Sequence, residues 1–132
     1  MQIALKKGAK MYLNGAVIRA DRKVNIELLN DATFLLDTHI MPAEGAKTPI
    51  AQLYFVLQST MMKPANSTAL VPVLRVMIEA LKLTHESSEL RASLDEIETL
   101  AVNQRFYDAL KRLRPFVARH EESGQNLQEN VA

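Results

Sequence analysis

LNGAVIRADRKVNIELL, residues Leu13 to Leu29, decides how the first third of this chain is read. Asn14-Gly15 separates two short segments in which apolar and polar residues alternate. A type I′ hairpin turn needs positive φ at both central residues, and Asn-Gly accepts that readily. Val24, Ile26 and Leu28 then alternate with Lys23, Asn25 and Glu27, which sends one face inward and the other to water. The same stretch gathers Arg19, Arg22 and Lys23 at the junction between two strands.

Working outward, the period of two holds up to about residue 40. Ile3 and Leu5 alternate with polar neighbours, and so do Met11 and Leu13. Lys7-Gly8 and Asn30-Asp31 are further turn candidates. The pattern predicts four or five short antiparallel strands.

The period changes after MPAEGAKTP. Thr48 can cap a helix whose first position is Pro49, where a missing N–H costs nothing. Ile50, Leu53, Tyr54, Leu57 and Met61 fall on one helical stripe. Lys63-Pro64 ends it, because the residue before proline is pushed out of the α region. A second stripe is Leu70, Leu74, Met77, Ile78 and Leu81, with Pro72 in the first turn of a helix starting near Ala69 to Val71.

From Ser88 to Ala118, with Ser87 or Ser88 as cap, two stripes follow one another. They are Leu90, Leu94, Ile97 and Ala101, then Phe106, Leu110, Leu113 and Val117. The second lies roughly 160° around the axis from the first. Either the helix breaks near Val102-Asn103-Gln104, or one long helix packs two partners on opposite faces. From Glu121 onward, EESGQNLQENVA has no apolar periodicity and reads as a disordered tail.

The resulting class is α+β. A small antiparallel β-sheet or half-barrel of four or five strands occupies residues 1–47. A bundle of three or four helices over 48–120 packs with it as a single domain, and 121–132 form the tail. The length of 132 residues suits one such domain.

A composition of 48% apolar and 23% charged residues is that of an ordinary soluble protein. A net charge of +1 gives no global attraction to nucleic acid, so any basic site must be local. No cysteine is present, which excludes disulfides, Cys-ligated zinc and thiol catalysis. The opening MQIALKKGAK lacks the features of a secretory signal, and no apolar run is long enough for a membrane span. A cytoplasmic protein without membrane association is expected.

Enzyme chemistry finds no purchase. His39, His85 and His120 are isolated, without metal-ligand spacing. The glycines are solitary, so no phosphate loop exists, and no serine sits in a nucleophile elbow. Asp95, Glu96 and Glu98 read as a solvated acidic face. No catalytic residue, cofactor or metal is expected.

The basic residues form three groups. Lys6, Lys7 and Lys10 surround the first turn, and Arg19, Arg22 and Lys23 the later junction. If the strands pair as read, the two meet at one edge of the sheet. RNA affinity draws on phosphate neutralisation by such side chains, and Tyr12, on the strand face of Lys10, offers a stacking ring. The plainer account is that edge charges deter aggregation. Arg105, Arg112 and Arg119, seven apart, form a possible second basic surface opposite the Phe106/Leu110/Leu113/Val117 stripe. A solvated helix face would look the same, and Asp108 weakens its field. The stripe itself is the candidate partner or dimer face. Opposed stripes and a small β layer in need of cover point to a homodimer.

Leu13-Asn14-Gly15-Ala16-Val17-Ile18-Arg19 resembles a signature of the FlbT family, alphaproteobacterial repressors of flagellum biosynthesis. The resemblance continues through Ala32-Thr33-Phe34-Leu35-Leu36, Ile40-Met41, Thr48-Pro49 and Leu53-Tyr54-Phe55-Val56-Leu57-Gln58. These blocks span roughly residues 3 to 64. The resemblance implies post-transcriptional control through the 5′ untranslated leader of flagellin mRNA, blocking translation or promoting decay. In some relatives the effect is activating. It also implies FlaF or flagellin as a protein partner. Where the family pattern carries basic residues after Thr-Pro, this chain has Ile50-Ala51-Gln52. A shorter likeness, Leu5-Lys6-Lys7-Gly8 with Met11-Tyr12-Leu13-Asn14-Gly15, is similar to the opening of CsrA, a small β protein that binds mRNA leaders as a dimer.

The two functional expectations are therefore distinct. One is an RNA-binding repressor using Lys6, Lys7, Lys10, Tyr12, Arg19, Arg22 and Lys23. The other is a protein-interaction module that docks flagellin or a FlaF-like protein through its helical half.

Overall fold

The computed structural model describes residues 1–131, with side chains through Arg119. The expected disordered tail, 121–132, lies outside the residues whose side chains are described. The chain divides into two compact units, Met1–Met41 and Pro42–Ala132.

The first unit holds five strands: β1 (Gln2–Leu5), β2 (Lys10–Leu13), β3 (Ala16–Arg19), β4 (Val24–Glu27) and β5 (Phe34–Leu36). They form two antiparallel sheets, β1 with β4, and β3–β2–β5. Asn14 and Gly15 take φ of +46° and +98°, as a type I′ turn requires, so β2 and β3 form the expected hairpin. Asn14 also holds the residue just before β5: its N–H donates to Thr33 O at 2.8 Å, and its Oδ1 accepts from Thr33 N at 2.9 Å. Asn30-Asp31 lies within a longer connection, 28–33, instead of a tight turn. Ile3, Leu5, Met11 and Ala20 form the buried core of this unit, with Leu13, Ile18, Val24 and Ile26 partly buried against it. Ile3, Leu5, Met11, Leu13, Val24 and Ile26 are named by the alternation, whereas Ala20 and the buried Tyr12 and Leu35 are not.

The second unit is built of α1 (Pro49–Met62), α2 (Ser67–Thr84), α3 (Ser88–Val102) and α4 (Phe106–Val131). Together with the five strands this is the α+β arrangement read from the sequence. Thr48 caps α1, its hydroxyl accepting from Ala51 N at 3.1 Å, with Pro49 at the first position. Ser87 caps α3 by accepting from Leu90 N at 3.2 Å. Helices α1 and α3 each pack against both α2 and α4. Ile50, Leu53, Leu57, Leu74, Ile78, Leu90, Leu94, Ile97, Leu110 and Leu113 are fully buried. Each such side chain contributes about 1.5–3 kcal/mol by leaving water.

Two helix boundaries carry physical content. Helix α2 begins at Ser67, before the expected start, and Pro72 lies inside it. Proline removes one hydrogen bond, freeing the Thr68 carbonyl. Both Thr68 and Pro72 are exposed, so water can satisfy that group. The break between α3 and α4 is real. Arg105 N donates to Leu100 O at 2.8 Å and Gln104 N to Ala101 O at 3.0 Å, with Gln104 at φ +61°. That pair of bonds is a Schellman cap, with glutamine where glycine is usual. Among the described residues, no helix is long and apolar enough to cross a membrane.

Candidate nucleic-acid interface

The basic residues of the first unit converge on one end of it. Lys6 to Ala9 form a turn closed by Ala9 N donating to Lys6 O at 3.0 Å. Gly8 supplies the positive φ, +84°, that the third position of a type II turn demands. Two backbone hydrogen bonds then strap this turn to the chain leaving β3: Gly8 N to Ala20 O at 2.7 Å, and Ala20 N to Ala9 O at 3.0 Å. The strap brings Lys6 and Lys7 beside the Asp21–Lys23 turn.

Strand register completes the cluster. Lys10 and Arg19 are direct cross-strand partners in the β2–β3 hairpin. In the other sheet Leu5 pairs with Val24, so Lys6 and Lys23 leave the ladder side by side. All six basic side chains are exposed. Two carboxylates share the region. Asp21 contacts Arg22 at 3.4 Å, and Asp37 accepts from the Lys10 backbone N–H at 2.8 Å. Among the described residues, Lys6, Lys7, Lys10, Arg19 and Lys23 form no ion pair. Like charges set directly across a ladder are destabilising. The Lys10–Arg19 pair is therefore a local cost that an anion would relieve.

Tyr12 does not belong to this surface. Its residue is only 5% exposed, so the stacking ring expected from its strand face is not offered to a ligand. Alternation places Tyr12 on the face of Lys10, but that face is covered at Tyr12 and open at Lys10. No aromatic residue occurs within 6–10 or 19–23. This end of the unit offers exposed cations and no ring on which a base could stack.

The second basic surface is corrected by its ion pairs. Arg112 contacts Glu96 at 3.0 Å, Arg119 contacts Glu89 at 3.5 Å, and Arg105 contacts Asp108 at 2.8 Å. Glu89 and Glu96 are seven residues apart on α3, and so are Arg112 and Arg119 on α4. Two antiparallel helices therefore match them pairwise. The seven-residue spacing records a helix–helix contact, and its charge is already answered within the chain. The acidic residues follow suit: Asp95 pairs with Lys82, and Glu98 with Arg75 at 3.1 Å. They form interhelical bridges at the surface, and Asp95 and Glu96 stay solvated, as read from the sequence.

The proposed partner face is corrected as well. Phe106, Leu110, Leu113 and Val117 are all buried, with Ala109 and Phe116 beside them. They form core, because the break at Gln104 lets α3 and α4 each turn their own stripe inward.

Sequence reasoning placed Arg114 only near the Arg105, Arg112 and Arg119 cluster and gave it no buried role. Its Nε and Nη2 are buried without a hydrogen-bond partner among the described residues. Burial pushes the Tyr54 hydroxyl above its ordinary pKa, while a hydrogen bond from Arg114 opposes the shift. No spacing pattern links residues 54 and 114, so nothing local could have signalled the pair.

Comparison with known proteins covers most of the chain. A family model described as "Flagellar protein FlbT" matches residues 1–123. A relative from Chelativorans sp. (strain BNC1), named "Probable flagellum biosynthesis repressor protein FlbT", is 40% identical over 121 residues, covering 92% of this chain and 83% of its own. One from Rhizobium etli (strain CIAT 652), with the same name, is 41% identical over 118 residues, covering 89% and 79%. A third, from Brucella ovis (strain ATCC 25840 / 63/290 / NCTC 10512), is 38% identical over 122 residues, covering 92% and 80%. No solved structure matches the chain. The Asn-Gly hairpin and the helical half thus fall within one match, and the chain belongs to the FlbT family of flagellar proteins.

Proposed function

We propose that this chain is a non-enzymatic repressor of flagellum biosynthesis that acts in the cytoplasm on RNA, binding the 5′ untranslated leader of flagellin mRNA. The repressor role follows the names its relatives carry. The carrying observation is the convergence of Lys6, Lys7, Lys10, Arg19, Arg22 and Lys23 on one strapped end of the β unit, in a chain of net charge +1. Lys10 and Arg19, held opposite each other, present two donors to adjacent phosphates. Without an exposed ring, affinity comes mainly from phosphate neutralisation. Binding should therefore be steeply salt-dependent and only modestly selective among single-stranded sequences. Repression follows if the occupied leader is closed to ribosomes or opened to nucleases.

The test is a mobility shift with a flagellin leader over a salt series. For single-stranded RNA each neutralised phosphate adds about 0.7 to the logarithmic salt slope. Replacing Arg19, Arg22 and Lys23 with alanine should weaken binding and lower that slope by about 2. Failure of the pure protein to bind at low salt would remove the reading.

The rival reading, a module docking flagellin or a FlaF-like protein through its helical half, has lost the stripe on the last helix that motivated it. The stripe that motivated it is buried within the chain.

A further inference from the structure

Helix α2 is apolar on both sides. Leu74, Ile78 and Leu81 face the core, as the sequence pattern requires. The opposite side carries Ala69, Val73, Val76, Ala80 and Leu83, all exposed. Val73 is 46% exposed, Val76 71% and Leu83 82%. They are three of the seven large hydrophobic side chains that are exposed among the described residues. A helix apolar all round is normally covered all round.

The spacing of this outer stripe says what covers it. Its steps are four, three, four and three residues, the 3.5-residue period of a helix that packs lengthwise against another helix. Four of its five residues also read the same in both directions about a point between Leu74 and Arg75: Ala69 mirrors Ala80, and Val73 mirrors Val76, while Leu83 mirrors Asn66. A two-fold interface needs such a surface, since each residue must meet the mate of its own mirror position. The charges of α2 make no demand on a partner. Arg75 pairs with Glu98, and Lys82 pairs with Glu79 and Asp95, all within the chain. A charged ligand such as RNA finds nothing to neutralise here, whereas an uncharged copy of the same stripe fits.

We infer that the protein forms a homodimer through antiparallel pairing of the outer faces of two α2 helices. Ala69 of one copy lies against Ala80 of the other, and Val73 against Val76. The alanines let the backbones approach closely toward the ends of the seam. Leu83 reaches past Ala69 to the short turn at Pro64–Asn66 of the second copy, where Pro64 and Ala65 are exposed. The 18-residue helix is about 27 Å long. A seam of that length falls short of the roughly 800 Å² per partner of a tight standard interface. The dimer should therefore be concentration-dependent, with dissociation in the micromolar range.

The test uses the full chain. Light scattering over a concentration series should rise from 14.8 kDa toward twice that mass. Val76→Glu should weaken association about a hundredfold, since it buries an unpaired charge at the seam. Its circular dichroism should stay unchanged, because Val76 already faces water. The chain has no cysteine, so register can be read directly. Oxidising a mixture of A69C and A80C should give a crosslinked heterodimer, while A69C alone should give none. Antiparallel pairing holds two copies of position 69 about 16 Å apart. A monomer mass at every concentration, a dimer indifferent to Val76→Glu, or crosslinking of A69C with itself would each overturn the inference.

Discussion

Two groups of cations in this chain look alike as sequence and differ as structure. At the end of the β unit, Lys6, Lys7, Lys10, Arg19 and Lys23 stand exposed, with no acid paired to them among the described residues. On α4, Arg112 and Arg119 each meet a carboxylate of α3, and Arg105, just before α4, meets Asp108. The difference follows from how each element finds its neighbours. An antiparallel helix pair brings a second row of side chains alongside the first, and here that row is acidic at the matching interval. The strand ladder instead opposes Lys10 to Arg19, and the turn strap adds two more lysines. One arrangement uses charge up and the other concentrates it.

That contrast can be broken in several ways, with effects of decreasing size. Leu113→Ala should lower stability by about 2–5 kcal/mol in thermal or denaturant unfolding, since Leu113 is fully buried. A variant of unchanged stability would return this stripe to the surface and revive the docking reading. Replacing Arg19, Arg22 and Lys23 with alanine should cost about ten- to a hundredfold in leader affinity at moderate salt, or ~1.4–2.7 kcal/mol. Arg112→Ala with Arg119→Ala should leave that affinity within about twofold, because those charges are already answered. Equal losses from both sets would erase the distinction.

Gln104→Gly sharpens the account of why α3 and α4 are separate helices. Relief of a left-handed backbone should raise stability by about 0.5–1 kcal/mol, read as a higher unfolding midpoint. Smallest of all, Glu96→Gln removes the acid facing Arg112. These are exposed groups, so a loss of only about 0.2–1 kcal/mol is expected, vanishing at high salt in parallel denaturation curves.

Much of the fold was legible because its signals are local. Asn14-Gly15 specifies its turn through backbone sterics, and the cap of α1 is written in Thr48-Pro49. Period two and period 3.6 name most of the inward residues, though not Tyr12, Ala20 or Leu35. Pro72 lies deeper in α2 than its missing N–H suggests, because Thr68, whose carbonyl it frees, is an exposed residue. Gln104 was ambiguous because the left-handed cap there lacks the glycine that would announce it.

The candidate site divides along the same line. Residue order alone established which side chains are basic and that two groups of them flank turns. It could not say that the strap between Gly8 and Ala20 joins the groups, that Tyr12 is covered, or that α4's arginines meet α3's acids. Backbone conformation is governed by neighbours a few residues away, whereas exposure and ion pairing are governed by whatever folds alongside. The outer face of α2 shows the same limit. Its apolar residues were present throughout, but only the packed bundle reveals that Leu74, Ile78 and Leu81 had turned inward and left Val73, Val76 and Leu83 in water.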